Sequence, residues 1–146
     1  FVGSFEVQSI IRLLLSAVFG FAIGTERRRK GRQAGARTHA IVSVASCLIM
    51  LSSLYLVSSI PTVDAARLPA QVISGIGFLG AGTILITKNN QIKGLTTAAG
   101  LWACACMGIA AGCGFYVGAV VGFLITFYIM HFWKQEESTE AGERLA

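Results

Sequence analysis

The sequence predicts an all-α, polytopic membrane protein with five transmembrane helices. Of its 146 residues, 54% are hydrophobic and only 13% are charged, and the mean hydropathy is +0.68. Soluble domains carry about 25% charged residues, so this composition excludes an ordinary soluble fold. Apolar runs separated by short polar segments predict the spans at residues 7–25, 38–59, 69–86, 95–111 and 115–133. Residues 1–133 are thus predicted to form one transmembrane domain, with residues 134–146 as a short acidic cytoplasmic tail.

Positive charge is concentrated on one side of the predicted spans. Ten Lys and Arg residues lie on the side of the first loop, and only Arg12 and Arg67 lie toward the other side. The positive-inside rule therefore predicts an external N-terminus and a cytoplasmic C-terminus. The basic loop itself consists of Arg27, Arg28, Arg29, Lys30, Arg32 and Arg37. This loop sets the topology, and it is also a candidate surface for anionic lipids.

Three charged residues near the predicted membrane boundaries each allow more than one role. Arg12 either extends back to the interface or pairs with Asp64 at the same membrane level. Asp64 is also a candidate cap for the third helix. Glu26 forms either an exposed ion pair of little value or a buried pair that organises the cytoplasmic end. We expect Glu26 to stay ionised and to tie the basic loop to the first span.

Small and polar side chains follow helical spacing along the second and fourth spans. The polar stripe of the second span consists of His39, Ser43, Ser46 and Ser53. Serines in membrane helices more often pack and hydrogen-bond to neighbours than line a pore, so packing is favoured. The small-residue stripe of the fourth span consists of Thr97, Gly100, Cys104 and Gly108. The four cysteines lack zinc-site spacing, so we expect them to be packing residues, and we expect no metal site and no cofactor.

The glycine-rich segment 71–82, QVISGIGFLGAG, is predicted to organise the bundle. On a helix Gly75 and Gly82 share a face with Gln71, whereas Gly77 and Gly80 lie roughly opposite. A helix that is thin on two faces is expected to lie between two neighbours, and we expect the Gly75/Gly82 face to make the closest helix contact. The segment also spells G-x-G-x-x-G, but no strand precedes it and no acidic residue follows at the required spacing. A dinucleotide site is therefore not predicted.

The last span carries two overlapping G-x-x-x-G steps and an aromatic end. Gly114, Gly118 and Gly122 form a stripe that suits a right-handed helix crossing, so we expect a homo-oligomer, most simply a dimer, through this face. The aromatic belt at the cytoplasmic end consists of Tyr128, His131, Phe132 and Trp133.

Four ordered motifs resemble the MgtC/SapB family of bacterial inner-membrane proteins. They are GFAIGTER at 20–27, GARTHA at 35–40, QVISGIGFLGAG at 71–82 and IKGLTTAAGLW at 92–102. The resemblance implies a multi-pass inner-membrane protein with structural or functional residues at Glu26, Arg27, Arg37, Thr38, Gln71, Ser74, Gly75, Gly77, Gly80, Gly82, Gly94, Thr96, Thr97 and Trp102. Ala36 and Gly100 stand where bulkier or hydroxylated residues are common in the family.

The resemblance also implies a function in adaptation to magnesium limitation, acid stress and survival inside host phagocytes, which is a virulence role. Studied members are thought to act on the F-type ATP synthase rather than to carry magnesium. Longer members carry a cytoplasmic C-terminal domain of the ACT type, whereas this sequence stops at Ala146. We therefore expect a short form of the family.

Two function classes follow from the residues. The first is a non-enzymatic regulator that packs against itself or other membrane proteins, since the sequence offers many close-packing glycines and no catalytic constellation. The second is a small transporter or channel, with a polar path along spans two to four. Magnesium sites rely on carboxylates, and no Asp or Glu lies inside the last four predicted spans. The cluster of cations at the cytoplasmic end would also repel a divalent cation, so we expect no magnesium transport. No feature predicts nucleic-acid binding.

Overall fold

The computed structural model describes residues 2–29, 34–86, 90 and 92–132, which form five helices and one short hairpin. In chain order the elements are α1 (Val2–Arg29), α2 (Ala36–Ser59), α3 (Arg67–Gly82), β1 (Leu85–Ile86), β2 (Ile92–Lys93), α4 (Leu95–Gly112) and α5 (Tyr116–Phe132). The two strands are antiparallel, with Leu85 opposite Lys93 and Ile86 opposite Ile92. The helical architecture predicted from the composition is confirmed.

Three of the helices are long and apolar enough to cross a membrane. They are α1, over Gly3–Arg29, together with α2 and α4. The helix α5 is apolar but has 17 residues, and α3 has 16. At 1.5 Å per residue α3 is about 24 Å long, which is less than the ~30 Å hydrocarbon core of a bilayer. The chain is therefore a membrane protein, and the full count of five crossings remains a prediction.

The segment after α3 differs from the prediction that the third span reaches residue 86. The helix ends at Gly82, and Leu85–Ile86 instead pairs with Ile92–Lys93. Gly94 follows β2 as the N-cap of α4 and has a positive φ of 92°, and a Cβ there would collide with the carbonyl oxygen of Thr83. A side chain at position 94 would thus be both strained and clashing. Residues 87–89 and 91 of the predicted polar turn lie outside the described residues.

The helix α4 occupies the centre of the bundle, because it packs against each of the other four helices. Leu101 is 1% exposed, and Cys104, Ala105 and Ala111 are fully buried. The prediction that segment 71–82 organises the bundle is therefore wrong within one chain. One face of α3 packs on its neighbours through Pro69, Val72, Ile76 and Gly80, and the rest of α3 lies at the periphery.

The closest backbone approaches involve glycines of α1 and α4 rather than those of α3. A Cβ at Gly20 would lie 2.5 Å from the carbonyl oxygen of His39, and one at Gly112 would lie 2.8 Å from that of Cys47. Both helices thus lie almost directly on the backbone of α2. The prediction that the Gly75/Gly82 face makes the closest contact is wrong within the chain, because a Cβ at either position would meet nothing within 4 Å. The physical reason is that α3 buries the opposite face.

Candidate functional site

A cluster of buried polar side chains joins the ends of α1, α4 and α5. Glu26 is only 5% exposed, although it carries a carboxylate. Its Oε1 accepts a hydrogen bond from Nδ1 of His131 at 3.0 Å and another from Nη1 of Arg29 at 3.2 Å. Of the two roles considered for Glu26, the structure supports the buried pair. The sequence predicts His131 only as part of the aromatic belt, and its contact with Glu26 has no signal in local sequence because the two residues lie 105 positions apart.

The second connection in this cluster runs from α1 to α4. Arg27 is 3% exposed, and its Nη1 donates a long hydrogen bond of 3.4 Å to the hydroxyl oxygen of Thr97, which is also 3% exposed. Buried arginines are rare in proteins unless they are paired. Glu26, Arg27 and Thr97 come from two of the motifs that carry the family resemblance, and the structure brings them to the same end of the bundle.

The polar stripe of α2 is buried along its whole length. His39, Ser43 and Ser53 are fully buried, and Ser46 is 3% exposed. The hydroxyl of Ser46 donates to the carbonyl of Val42 at 2.7 Å, and that of Ser53 donates to the carbonyl of Ala65 at 2.5 Å. These internal bonds agree with the prediction that the stripe packs, and they offer no open polar path at these positions.

A second polar network lies at the opposite end of the bundle, around Arg12. Its Nη1 donates to the carbonyl of Gly112 at 2.8 Å, and its Nε donates to the hydroxyl of Tyr116 at 3.1 Å. That hydroxyl in turn donates to Oε1 of Gln8 at 2.8 Å. The guanidinium therefore satisfies the C-terminal end of α4, where a cation is favoured by the helix dipole.

Of the two roles considered for Arg12, the structure does not show the pairing with Asp64. The carbonyl of Gly112 at the end of α4 and the hydroxyl of Tyr116 supply the acceptors of Arg12 instead. The Oδ1 atom of Asp64 instead accepts the backbone N–H of Ala66 at 2.9 Å. Ala66 is itself the N-cap of α3 and has no side-chain cap bond, so Asp64 shapes the turn that precedes the helix.

The outward side of α3 forms the second candidate site, which we call the α3 outer stripe. It consists of Gln71, Gly75, Phe78 and Gly82, which are all exposed and follow helical spacing. Phe78 is 84% exposed, more than Val117 at 74% or any other large apolar side chain whose exposure the structure describes. Gln71 and its neighbour Ser74 make no hydrogen bond from their side chains to any described residue.

The remaining predicted site residues are divided between packing and exposed positions. Gly80 packs on Ala98, since a Cβ at position 80 would lie 3.5 Å from the alanine methyl, whereas Gly77 is exposed. Trp102 is 49% exposed and Thr96 is half-buried. Four other predicted residues, three arginines and one threonine, are exposed: Arg28, Arg29, Arg37 and Thr38. Lys30 and Arg32 of the basic loop lie outside the described residues.

The glycine stripe of α5 is partly filled from within the chain. A Cβ at Gly114 would lie 2.8 Å from Nη2 of Arg12, and one at Gly118 would collide with the ring of Phe115. Only Gly122 faces open space. Within the described ranges, no group of three or more His, Cys, Asp or Glu side chains is placed to hold a metal ion.

Comparisons with known proteins agree on one family. The model of the MgtC family matches residues 13–139. The chain is 40% identical over 133 residues to YhiD of Escherichia coli (strain K12), whose name proposes a magnesium transporter; the match covers 88% of this chain and 61% of YhiD. It is 38% identical over 128 residues to SapB of Bacillus subtilis (strain 168), covering 84% and 55% of the two chains.

It is also 40% identical over 116 residues to MgtC of Salmonella typhimurium (strain LT2), covering 80% of this chain and 48% of that protein. The chain thus spans about half to three fifths of the length of these curated relatives. No solved structure matches it.

Proposed function

Because the chain belongs to the MgtC family, we propose that it is a non-enzymatic regulatory protein of the bacterial inner membrane. It acts by helix–helix interaction with itself or with other membrane proteins, in adaptation to low magnesium, acid or host stress. In this proposal the chain crosses the membrane five times, with an external N-terminus and a cytoplasmic C-terminus. The orientation rests on the excess of positive charge on the side of the basic loop.

The observation that carries this proposal is the α3 outer stripe. Small residues let membrane helices approach closely, and association there is driven by van der Waals packing and interhelical hydrogen bonds. Gly75 and Gly82 offer such a surface, and a Cβ at either position would meet none of the described residues within 4 Å. Gln71 and Ser74 add hydrogen-bonding groups that remain unused. A surface of this kind gains little from lipid and much from another helix.

A second copy of the chain is the occupant that fits this stripe best. A two-fold interface needs a patch that is complementary to itself. Phe78 projects from the stripe, and Gly75 and Gly82 leave grooves three residues before it and four residues after it. The ring of one copy can therefore fill a glycine groove of the other. The glycine stripe of α5 is a weaker interface, since Arg12 and Phe115 of the same chain already occupy two of its three grooves.

The test compares large substitutions on the two helices. Gly75→Leu and Gly82→Leu should leave a folded chain but abolish both self-association in nanodiscs and the rescue of a deletion strain at low magnesium. Gly122→Leu, which also faces open space, is the matched control and should retain both. Rescue by a monomeric Gly75→Leu variant would overturn the proposal.

Transport is the second candidate, because a polar stripe runs the length of α2 and because the name of YhiD proposes magnesium transport. The stripe is buried and internally bonded at Ser46 and Ser53. Glu26 of α1 lies near the start of α2, and Asp64 follows its end. Since α2 is about 36 Å long at 1.5 Å per residue, the two carboxylates are too far apart to share one ion. We therefore expect purified protein in liposomes to show no saturable magnesium uptake. Saturable uptake that is lost in Glu26→Gln would establish transport instead.

Two further partners belong to the proposal. Anionic lipids are expected to contact the exposed Arg28, Arg29 and Arg37 on the cytoplasmic side, where a polybasic surface is attracted to negative head groups. The F-type ATP synthase is the protein partner that the family resemblance implies. Co-purification of the synthase with the wild-type chain from mild detergent, and its loss with Gly75→Leu, would support that partner.

A further inference from the structure

The helices α4 and α5 reverse direction well before the far ends of α1 and α2. The reversal, residues 113–115, follows the end of α4 at Gly112, and we call it the α4–α5 turn. A Cβ at Gly112 would lie 2.8 Å from the carbonyl oxygen of Cys47 and 2.8 Å from Cβ of Met50, so α4 ends beside the middle of α2. From Met50 the helix α2 continues to Ser59, a further distance of about 14 Å at 1.5 Å per residue.

The parts of α1 and α2 beyond this turn have the surface of a membrane-spanning segment. They run side by side, since the ring centroids of Phe5 and Tyr55 lie 6.2 Å apart. Large apolar side chains face outward there, with Ile10 58% and Leu56 39% exposed. Such a surface is typical of contact with lipid tails. The α4–α5 turn therefore lies at the depth of the hydrocarbon core, where irregular backbone does not face lipid tails directly.

A charged side chain lies at the same turn. Arg12 is half-buried, and its guanidinium is always protonated. Its partners are neutral, namely the carbonyl of Gly112, the hydroxyl of Tyr116 and the ring of Tyr116, whose centroid lies 5.8 Å from Cζ. Among the described residues no carboxylate forms an ion pair with Arg12. Neutral partners satisfy hydrogen bonds, but they do not neutralise a charge at membrane depth, where arginines normally pair.

The helix dipoles do not neutralise this charge either. The C-terminal end of α4 supplies about half a negative charge. The helix α5 begins at Tyr116, directly after the turn, and its positive end opposes that contribution. The guanidinium of Arg12 therefore still requires an anion.

We propose that the phosphate group of a phospholipid binds to Arg12 at the α4–α5 turn, and that the leaflet is thinner there than around α1 and α2. Local thinning of the bilayer is one way in which a membrane accommodates arginine. A head group drawn inward would also cover the backbone of the turn with polar atoms. In the proposed orientation this is the outer leaflet, and the site does not depend on the proposed regulatory function.

The geometry around Arg12 suits a phosphate. The guanidinium has five N–H groups, and its bonds to Gly112 and Tyr116 use two of them. The planar fork of the others matches phosphate oxygens. Gly114 leaves space beside Nη2, since a Cβ there would lie 2.8 Å from that atom. Gln8, which accepts the hydroxyl of Tyr116, is exposed, so the site opens outward.

Spin labels in bilayers that contain phosphatidylglycerol test the thinning. Cys113 is an exposed natural cysteine at the turn. Leu48→Cys is the matched control, because Leu48 lies at the same level on α2 and is 54% exposed. With each as the only cysteine of the full chain, we expect the label at 113 to be several-fold more accessible to a water-soluble nickel chelate. Equal accessibility at the two positions, whether high or low, would overturn the thinning.

The role of Arg12 is tested in the same measurement. Arg12→Gln should lower the accessibility at position 113 toward that at 48, because the cation that holds the head group is gone. Arg67→Gln removes an exposed cation at the same end of the bundle and should change neither value. An unchanged accessibility in a folded Arg12→Gln variant would overturn the assignment to Arg12.

Solid-state NMR identifies the bound group and needs no destabilising variant. In chains with labelled arginine, the guanidinium carbon of Arg12, assigned with Arg12→Lys, should show dipolar coupling to lipid phosphorus. The coupling should vanish in bilayers of phosphorus-free glycolipid, even with inorganic phosphate added. Coupling to the added phosphate would assign the site to a soluble anion rather than a lipid and overturn the proposal. Absence of coupling in phospholipid bilayers would overturn it as well.

Discussion

The neighbouring helices α3 and α4 are both glycine-rich, yet they use their glycines in opposite ways. In α4 the glycines at 100, 108 and 112 are buried and lie against α2 or α5. In α3 the glycines at 75, 77 and 82 are exposed, and a Cβ at any of them would meet no atom of the described part of the chain within 4 Å. Glycine density thus indicates that close packing is possible. It does not indicate whether the partner helix belongs to the same chain.

The glycines of α3 and α4 also differ in whether packing offsets their free-energy cost. A glycine inside a helix costs about 1 kcal/mol relative to alanine in water. At Gly108 and Gly112 of α4 this cost is offset by close contact with the backbone of α2. At Gly75, Gly77 and Gly82 of α3 no contact with the described residues offsets it. We therefore place the missing contact of α3 in a second copy. Placing the same substitution at glycines of both helices tests this difference, because equal effects on α3 and α4 would contradict it.

The largest effect is expected for leucine at the α4 glycines. Gly108→Leu places a side chain against the carbonyl oxygen of Ser43, and a backbone cannot withdraw as a flexible side chain can. Overpacking costs about 1–3 kcal/mol or more, so we expect this variant to accumulate poorly and to lose its monodisperse peak in detergent. Gly75→Leu should accumulate as the wild type does. Equal yields of the two variants would remove the distinction between the helices.

An intermediate effect is expected for the hydroxyls. Thr97→Val removes one buried acceptor of Arg27, and a hydrogen bond to a charged group is worth about 1.5–3 kcal/mol. The midpoint of thermal unfolding in detergent should therefore fall. Ser74→Ala removes a hydroxyl without a described partner and should leave the midpoint unchanged. A fall of the same size in both variants would show that α3 is as tightly integrated as α4.

The smallest effect is expected for alanine, and it should have opposite signs in the two helices. Gly77→Ala adds a methyl to open space and should raise stability by about 0.4–1 kcal/mol, because it restricts the unfolded chain. Gly112→Ala places its methyl 2.8 Å from the carbonyl of Cys47 and should lower stability. The two unfolding midpoints, compared in the same detergent, measure the signs. A loss with Gly77→Ala would mean that its face is covered in the monomer.

Much of the fold followed from composition and periodicity. Charge content and apolar runs predicted the helices, and the spacing of Thr97, Gly100, Cys104 and Gly108 predicted a stripe that is indeed buried. Local sequence could not rank the helices, because a glycine stripe looks the same whether it faces the centre of the bundle or lipid. Glycine content alone therefore favours segment 71–82 as the centre, whereas the centre lies on α4.

The polar sites were predictable only in part. Glu26 stands out in the sequence by its isolation among cations, and of its two possible environments the structure shows the buried one. Its partner His131 lies 105 residues away and depends on how α5 returns to the end of α1. Opposite charge alone assigns a carboxylate to Arg12. The acceptors in the structure are the hydroxyl of Tyr116 and the backbone carbonyl of Gly112 at the end of α4, and free carbonyls exist at every helix end without a distinctive sequence signal.

Disulfide crosslinking between copies tests the central claim most directly. In a chain whose four natural cysteines are replaced by alanine, single cysteines are introduced at Gly75 or at Gly122 and oxidised in native membranes. A disulfide requires Cβ atoms about 3.5–4.5 Å apart, so it reports only the closest approach of two copies. We predict a crosslinked dimer for Gly75→Cys and none for Gly122→Cys. Crosslinking at 122 without crosslinking at 75 would contradict the α3 interface and would assign self-association to α5.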